Sequence, residues 1–197
     1  MIHTLFLGDS YTIGEGVPLF DNYPSQLIHL LRQAGLPCAA PEIIAKTGFT
    51  SDELLGQIAN TIFLPTYDFV MLLIGVNNEY RGRDTEPFKA DLETLVQKAI
   101  SLCLNKEEGV IMLNIPDYGR TPFVEAEKKP VVAERIDWFN SVCHEVAQKY
   151  NTGFIDVCSL SRHPDIENGY LASDNLHYSG KAYKEWANLV FEKIIRS

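Results

Sequence analysis

Short, wholly apolar or β-branched runs alternate along the chain with longer stretches in which apolar residues recur every three or four positions. A strand pattern followed again and again by a helix pattern is the mark of βαβ units, in which helices cover a parallel sheet. The runs at residues 2–7, 42–45, 69–74, 110–115 and 153–157 predict five strands, each closing near a Gly, Asp, Pro or Asn. Phe69-Val70-Met71-Leu72-Leu73-Ile74 has no polar alternation, as expected of a central parallel strand buried on both faces. Phe88, Leu92, Leu95, Val96, Ala99, Ile100 and Cys103 fall on one helical stripe, with Thr85 or Asp84 placed to cap it. Val132, Ile136, Phe139, Cys143 and Val146 form a second stripe, and Ala182, Trp186, Leu189, Val190 and Ile194 a third. Lys193 and Arg196 suit the negative end of that last helix. A further helix is expected around residues 26–32. The two longest stretches without a period, 14–22 and 117–130, carry Gly or Pro and predict rim loops.

The 197 residues contain no linker-like tract or internal repeat, which predicts a single domain over 1–197. With 46% apolar and 22% charged residues the chain has ordinary globular composition and can bury a core. Its 17 basic and 26 acidic residues give a net charge of −9, which repels phosphate backbones and anionic bilayers. Nucleic acid and membrane partners are therefore not expected. Cys38, Cys103, Cys143 and Cys158 form no C-x-x-C pair, and three of them lie in apolar runs, so buried free thiols are expected and a zinc cluster is not. No apolar span approaches the length of a membrane helix, and the first residues do not resemble a secretory leader. The expectation is a cytoplasmic protein, or one whose leader has been removed.

In an open parallel sheet, ligands bind beyond the carboxyl ends of the strands. Gly8-Asp9-Ser10 follows the first predicted strand, Lys46-Thr47-Gly48 the second and Gly75-Val76-Asn77-Asn78 the third; Asp174-Asn175-Leu176-His177 precedes the last helix. Together they hold what an acyl-transfer site needs. A serine becomes a nucleophile when a base takes its proton, a further group orients that base, and donors await the oxyanion. Ser10 is the candidate nucleophile, His177 the base and Asp174, three residues before it, the orienting acid. The backbone N–H groups of Ser10 and Gly48 and the side-chain amide of Asn77 are the candidate oxyanion donors. Ser10 Oγ and His177 Nε2 are expected about 2.6 to 3.2 Å apart, or somewhat more in a resting enzyme.

These segments resemble the blocks of the GDSL esterases and lipases, the SGNH hydrolases. Gly8-Asp9-Ser10 is similar to the first block, Gly48 to the second, Gly75-Val76-Asn77 to the third and Asp174-x-x-His177 to the last, in the family's order from residue 8 to residue 177. The resemblance implies a flavodoxin-like three-layer α/β/α sandwich and hydrolysis of esters or thioesters by a serine nucleophile without metal or other cofactor. The third block usually reads Gly-x-Asn-Asp, whereas this chain has Asn78 in the last place.

Competing chemistries lack their signatures. There is no Gly-x-Ser-x-Gly elbow and no phosphate-binding Gly-x-x-x-x-Gly-Lys-[Ser/Thr]. Gly14-x-Gly16 never reaches a third glycine, and His144-Glu145 lacks the second histidine of a zinc protease. His163 reads as a solvated loop residue, and Asp156 as a turn residue more than a second orienting acid. The sequence thus predicts hydrolysis of small, soluble acyl esters through an acyl-enzyme on Ser10. A thioesterase or lysophospholipase on the same scaffold, and a flavodoxin-like binding module without turnover, are the alternatives. Tyr11, Phe20, Tyr23, Tyr80, Tyr118, Phe123 and Tyr178 lie in or near the rim segments, where aromatic rings suit acyl chains or sugar rings.

Overall fold

Five parallel strands, β1 (Thr4–Gly8), β2 (Glu42–Ala45), β3 (Phe69–Leu73), β4 (Val110–Leu113) and β5 (Gly153–Ile155), form one sheet in the order β2-β1-β3-β4-β5. The structure is a computed structural model that describes residues 1–163 and 169–196. The helices are α1 (Ser10–Ile13), α2 (Tyr23–Gln33), α3 (Ser51–Ala59), α4 (Val76–Tyr80), α5 (Thr85–Leu102), α6 (Lys129–Lys149), α7 (Cys158–Ser161) and α8 (Gly180–Arg196). α2 packs on α8, while α3, α5 and α6 pack in sequence against one another, giving the two outer layers of an α/β/α sandwich. This is the flavodoxin-like strand order, whose direction of winding reverses between β1 and β3.

The register sets where chemistry can occur. Gly8, the last residue of β1, lies opposite Ala45 of β2 and Leu73 of β3, so three neighbouring strands end flush. The segments that leave them emerge side by side. Gly8 also has to be glycine: an added Cβ would lie 2.1 Å from Thr12 Oγ1 and 2.5 Å from the Leu73 carbonyl oxygen. That close approach lets the chain turn directly from β1 into α1.

Two strands stop earlier than their apolar runs suggest, because side-chain amides take over the backbone groups. Asn140 of α6 accepts from the Ile115 N–H at 2.8 Å and donates to the Ile115 carbonyl at 2.9 Å, standing in for a neighbouring strand beyond Leu113. Asn114 Oδ1 accepts from the N–H groups of Val157 and Cys158, which turns the chain from β5 into α7. Asp156, considered above as an orienting acid, instead caps that turn through Ser159 and binds Asn114. β1 begins only at Thr4, since Ile2 makes an isolated bridge to Cys38 and His3 N–H donates to Asp68. Asp84 is the N-cap of α5, though its side chain makes no capping bond. The four cysteines are free and buried.

Beneath α1 lies a core of large rings. Trp186 of α8 is ringed by Tyr11, Tyr23, Tyr178 and Tyr183, all with centroids within 6.3 Å of it. Tyr23 and Tyr178, expected from sequence near the rim, are therefore core residues, while Tyr11 is buried with them and also lines the cavity. Asp9 is buried beside them. Its Oδ1 caps α1 by accepting from Tyr11 N–H at 3.0 Å, while Oδ2 has no partner. Burial pushes its carboxyl pKa from 3.8 up to about 7, against the lowering effect of the backbone N–H groups. Unfolded, Asp9 loses its proton near pH 4; folded, it keeps it to about pH 7, so the native state binds the extra proton in between and loses stability as pH rises through that window. Asp9→Asn retains a cap acceptor and has no carboxyl to titrate. Its stability relative to the parent should rise from pH 4 to pH 7, on the order of 4 kcal/mol, in denaturant titrations at each pH. A difference independent of pH would contradict the assignment.

Candidate active site

The flush strand ends open onto a cavity of about 300 Å³ lined by Ser10, Tyr11, Glu15, Thr47, Gly48, Val76, Asn77, Tyr80, Tyr118, Phe123, Leu176 and His177. Ser10 is the first residue of α1, so its N–H is one of the free donors at the start of a helix, and it lines the cavity. Gly48 has φ +81° in the turn after β2, a left-handed conformation that a side chain would strain. Its carbonyl points away, accepting from Arg81 Nη2 at 2.7 Å. Asn77 comes from the first turn of α4, which begins at Gly75 with φ +130°. One Asn77 Nδ2 hydrogen binds the Phe49 carbonyl at 3.0 Å, and the amide has a second hydrogen to offer.

Asn78 points the other way. Buried under the cavity wall, it accepts from Ser51 N–H at 3.0 Å and donates to Ser51 Oγ at 2.8 Å. Ser51 Oγ in turn donates to Asp91 at 2.6 Å. The two adjacent asparagines thus split the work: Asn77 faces the cavity and Asn78 ties α4 to the start of α3.

His177 sits in a turn organised by Asp174. Asp174 Oδ1 accepts from the N–H groups of Leu176 and His177, both at 3.0 Å, and its Oδ2 lies 2.6 Å from His177 Nδ1. Asn175, inside the turn, has φ +59°, a conformation asparagine tolerates better than most residues. Partial burial pushes the Asp174 pKa up, but the hydrogen bonds from the His177 ring and the two N–H groups outweigh it and leave the carboxylate below its usual range. The Tyr11 ring packs on the imidazole with centroids 5.3 Å apart. Ser10 Oγ and His177 Nε2 both face this site without a hydrogen bond between them, the looser resting arrangement that the sequence expectation allows for. The acceptor close to Nε2 is instead Glu15 Oε2, at 3.8 Å.

The five residues singled out from sequence, Ser10, Gly48, Asn77, Asp174 and His177, are thus brought to one place, the first three and His177 lining the cavity and Asp174 behind His177. Glu15, Thr47, Val76 and Leu176 join them; all four lie in segments expected at the rim, but the sequence assigns no chemical role to any of them. Tyr80, Tyr118 and Phe123 form one wall, the Tyr80 ring lying 5.9 Å from Tyr118 and 6.2 Å from Phe123. Phe20 is exposed elsewhere, beside His29 and Lys184, and His163 does not line the cavity.

The fold recurs in solved structures. A lipase/acylhydrolase from Enterococcus faecalis superposes with TM-score 0.78 at 22% identity, over 98% of this chain and 95% of that one. The psychrotrophic esterase EstA from Pseudoalteromonas sp., in a form inhibited by monoethylphosphonate, gives 0.75 at 16% identity over 100% and 98%. Axe2, an acetylxylan esterase from Geobacillus stearothermophilus, gives 0.75 at 20% identity over 98% and 94%. No curated protein sequence matches the chain. The sequence pattern of the GDSL-like Lipase/Acylhydrolase family, however, matches residues 6–185, from the middle of β1 into α8, and so spans every segment that forms the cavity. The chain therefore belongs to the GDSL-like lipase/acylhydrolase family and is a carboxylic ester hydrolase.

Proposed function

We propose that the protein cleaves small acyl esters by acyl transfer through Ser10. The observation that carries this reading is the Asp174–His177 pair, 2.6 Å apart, with its free Nε2 facing the cavity that Ser10, Gly48 and Asn77 line. Nε2 takes the Ser10 hydroxyl proton as Oγ attacks the ester carbonyl. The tetrahedral oxyanion is held by the N–H groups of Ser10 and Gly48 and the free Asn77 amide hydrogen. As the intermediate collapses, the C–O bond to the alcohol breaks and His177 gives its proton to the leaving oxygen. Water then enters, losing a proton to His177, and releases the acid from Ser10. Asp174 keeps the proton on Nδ1 and balances the imidazolium charge.

The absence of a resting hydrogen bond between Ser10 and His177 is compatible with this route, because catalytic hydrogen bonds often tighten only when substrate is bound. A cavity of about 300 Å³ suits a short acyl group better than a long chain. Among the structural relatives, a serine-to-alanine form of Axe2 is described as a catalytic mutant.

Ser10→Ala should abolish hydrolysis of p-nitrophenyl acetate without loss of fold, and a fluorophosphonate probe should add covalently to the parent at Ser10 alone. Turnover by the variant within tenfold of the parent would remove Ser10 from the mechanism. The asparagines should separate cleanly. Asn77→Ala removes a donor needed only in the transition state and should lower kcat by about 10² to 10³ with KM little changed. Asn78→Ala leaves Ser51 N–H without its partner and should cost about 1 to 3 kcal/mol of stability in thermal or denaturant unfolding, with a much smaller effect on kcat. The reverse pattern would mean that the wrong asparagine had been assigned to the oxyanion.

A further inference from the structure

One charged side chain of the cavity has no part in the mechanism above. Glu15 follows α1, its N–H bonded to the Ser10 carbonyl at 3.0 Å, so its place is tied to that of the nucleophile. Its Oε2 accepts from Thr47 Oγ1 at 2.5 Å and lies 3.8 Å from His177 Nε2. A single carboxylate thus bridges the loop that carries Gly48 and the imidazole that faces Ser10.

The geometry of acyl transfer gives that position a meaning. The nitrogen that takes the serine proton must later hand it to the departing alcohol oxygen, so the alcohol half of the ester lies against Nε2. A group about 4 Å from Nε2 is therefore a neighbour of the leaving group. The charge on Glu15 also lacks a permanent counterpart. Among the described residues its only ion-pair neighbour is His177, which has to be neutral to act as a base. Neither lysine nor arginine is among the described residues that line the cavity. Arg81, at the rim, is held by the Gly48 carbonyl at 2.7 Å and by Glu53 at 3.0 Å. Asp174 is engaged by His177 and adds a second negative charge nearby. Across the cavity wall, Tyr80 and Phe123 are 60% and 46% exposed, and aromatic faces attract cations.

We propose that Glu15 selects the alcohol half of the substrate, favouring leaving groups that carry an ammonium or trimethylammonium a few bonds from the ester oxygen and disfavouring those that carry a carboxylate or phosphate there. This rests on the reading of Ser10 and His177 as the ester-cleaving pair. It sets the protein apart from a thioesterase or lysophospholipase whose leaving group is anionic. The acyl half is left to the rest of the cavity.

The test uses acetylcholine and 3,3-dimethylbutyl acetate, which have the same shape and differ by a cationic nitrogen in place of carbon. At low ionic strength the parent should favour acetylcholine by about tenfold in kcat/KM, a modest ratio because Glu15 is partly exposed. In Glu15→Gln the ratio should fall to about one or two. Each ratio is taken within one enzyme, so any effect of Glu15 on the basicity of His177 cancels. In the parent the preference should also shrink as salt is raised to about 0.5 M, which needs no variant. Equal ratios in parent and Glu15→Gln, a parent preference for the neutral ester, or faster turnover of the anionic ester acetylglycolate would each overturn the proposal. Hydrolysis of p-nitrophenyl acetate, and its loss in Ser10→Ala, reports on the underlying reading separately. An enzyme that cleaves this ester without distinguishing the matched pair refutes the role of Glu15 alone, and one that cleaves none of the esters removes both.

Discussion

Everything at the site depends on three parallel strands ending at the same level. Parallel pairing fixes Gly8 opposite both Ala45 and Leu73, and a shift of one residue would turn every side chain of β1 to the other face of the sheet. That shift is disfavoured at the strand end, where only glycine fits between Thr12 and the Leu73 carbonyl. Ser10, Gly48 and Asn77 are therefore placed by backbone hydrogen bonds and hydrophobic burial, with no need for side chains to find one another. The winding reversal between β1 and β3 leaves the crevice between their ends uncovered by a crossover, and the cavity opens there.

A second constraint comes from polar groups buried around the cavity, each of which has to be satisfied locally. Glu79 at the end of α4 is buried, and Arg135 of α6 meets it at 2.9 Å while Tyr118 donates its hydroxyl at 2.7 Å. Removing either partner would leave a buried charge short of compensation. The pair fixes α4 against α6 and, through Tyr118, sets one wall of the cavity. Asn78, Ser51 and Asp91 do the same for α3, α4 and α5. The substrate-facing side chains of α4 thus stand on a short helix pinned from two sides, which suits a donor that must be aimed before the reaction begins. Asp9 departs from this, as do several buried hydroxyls of the ring cluster beneath α1: one of its oxygens has no partner, and desolvation holds off its charge next to Ser10.

His177 is positioned differently. Among the described residues its loop contributes no strand to the sheet, and its geometry comes from one carboxylate that binds the ring nitrogen with one oxygen and two backbone N–H groups with the other. The Asp-x-x-His spacing is what allows a single side chain to make the turn and orient the base. Burial of Tyr11 against Trp186 then supplies a rigid floor for the imidazole.

The sequence by itself determined the strands, the main helices and the identity of the polar residues at the strand ends. Hydrophobic period reports which faces must be buried, and Gly8-Asp9-Ser10, Gly48, Asn77 and Asp174-x-x-His177 carry chemistry that a core does not need. The helix α3 is not among the elements read from sequence, although Thr50 and Glu53, which cap it reciprocally, are a capping-box signal for its start. Only the tertiary structure decided the rest. Asn77 and Asn78 are chemically identical neighbours; the match to the family's third block singles out Asn77, and the structure supplies the reason, since the helical turn after Gly75 sends Asn78 to Ser51 instead. Tyr23 and Tyr178 look like rim residues in the sequence, yet packing around Trp186 takes them into the core. Glu15 reads as one more solvated acid in a loop, and becomes a neighbour of the base only because residues 15, 47 and 177, from three separate loops, meet over the end of β1. Local pattern encodes burial, whereas the meeting of loops depends on strand order and register, which no single segment contains.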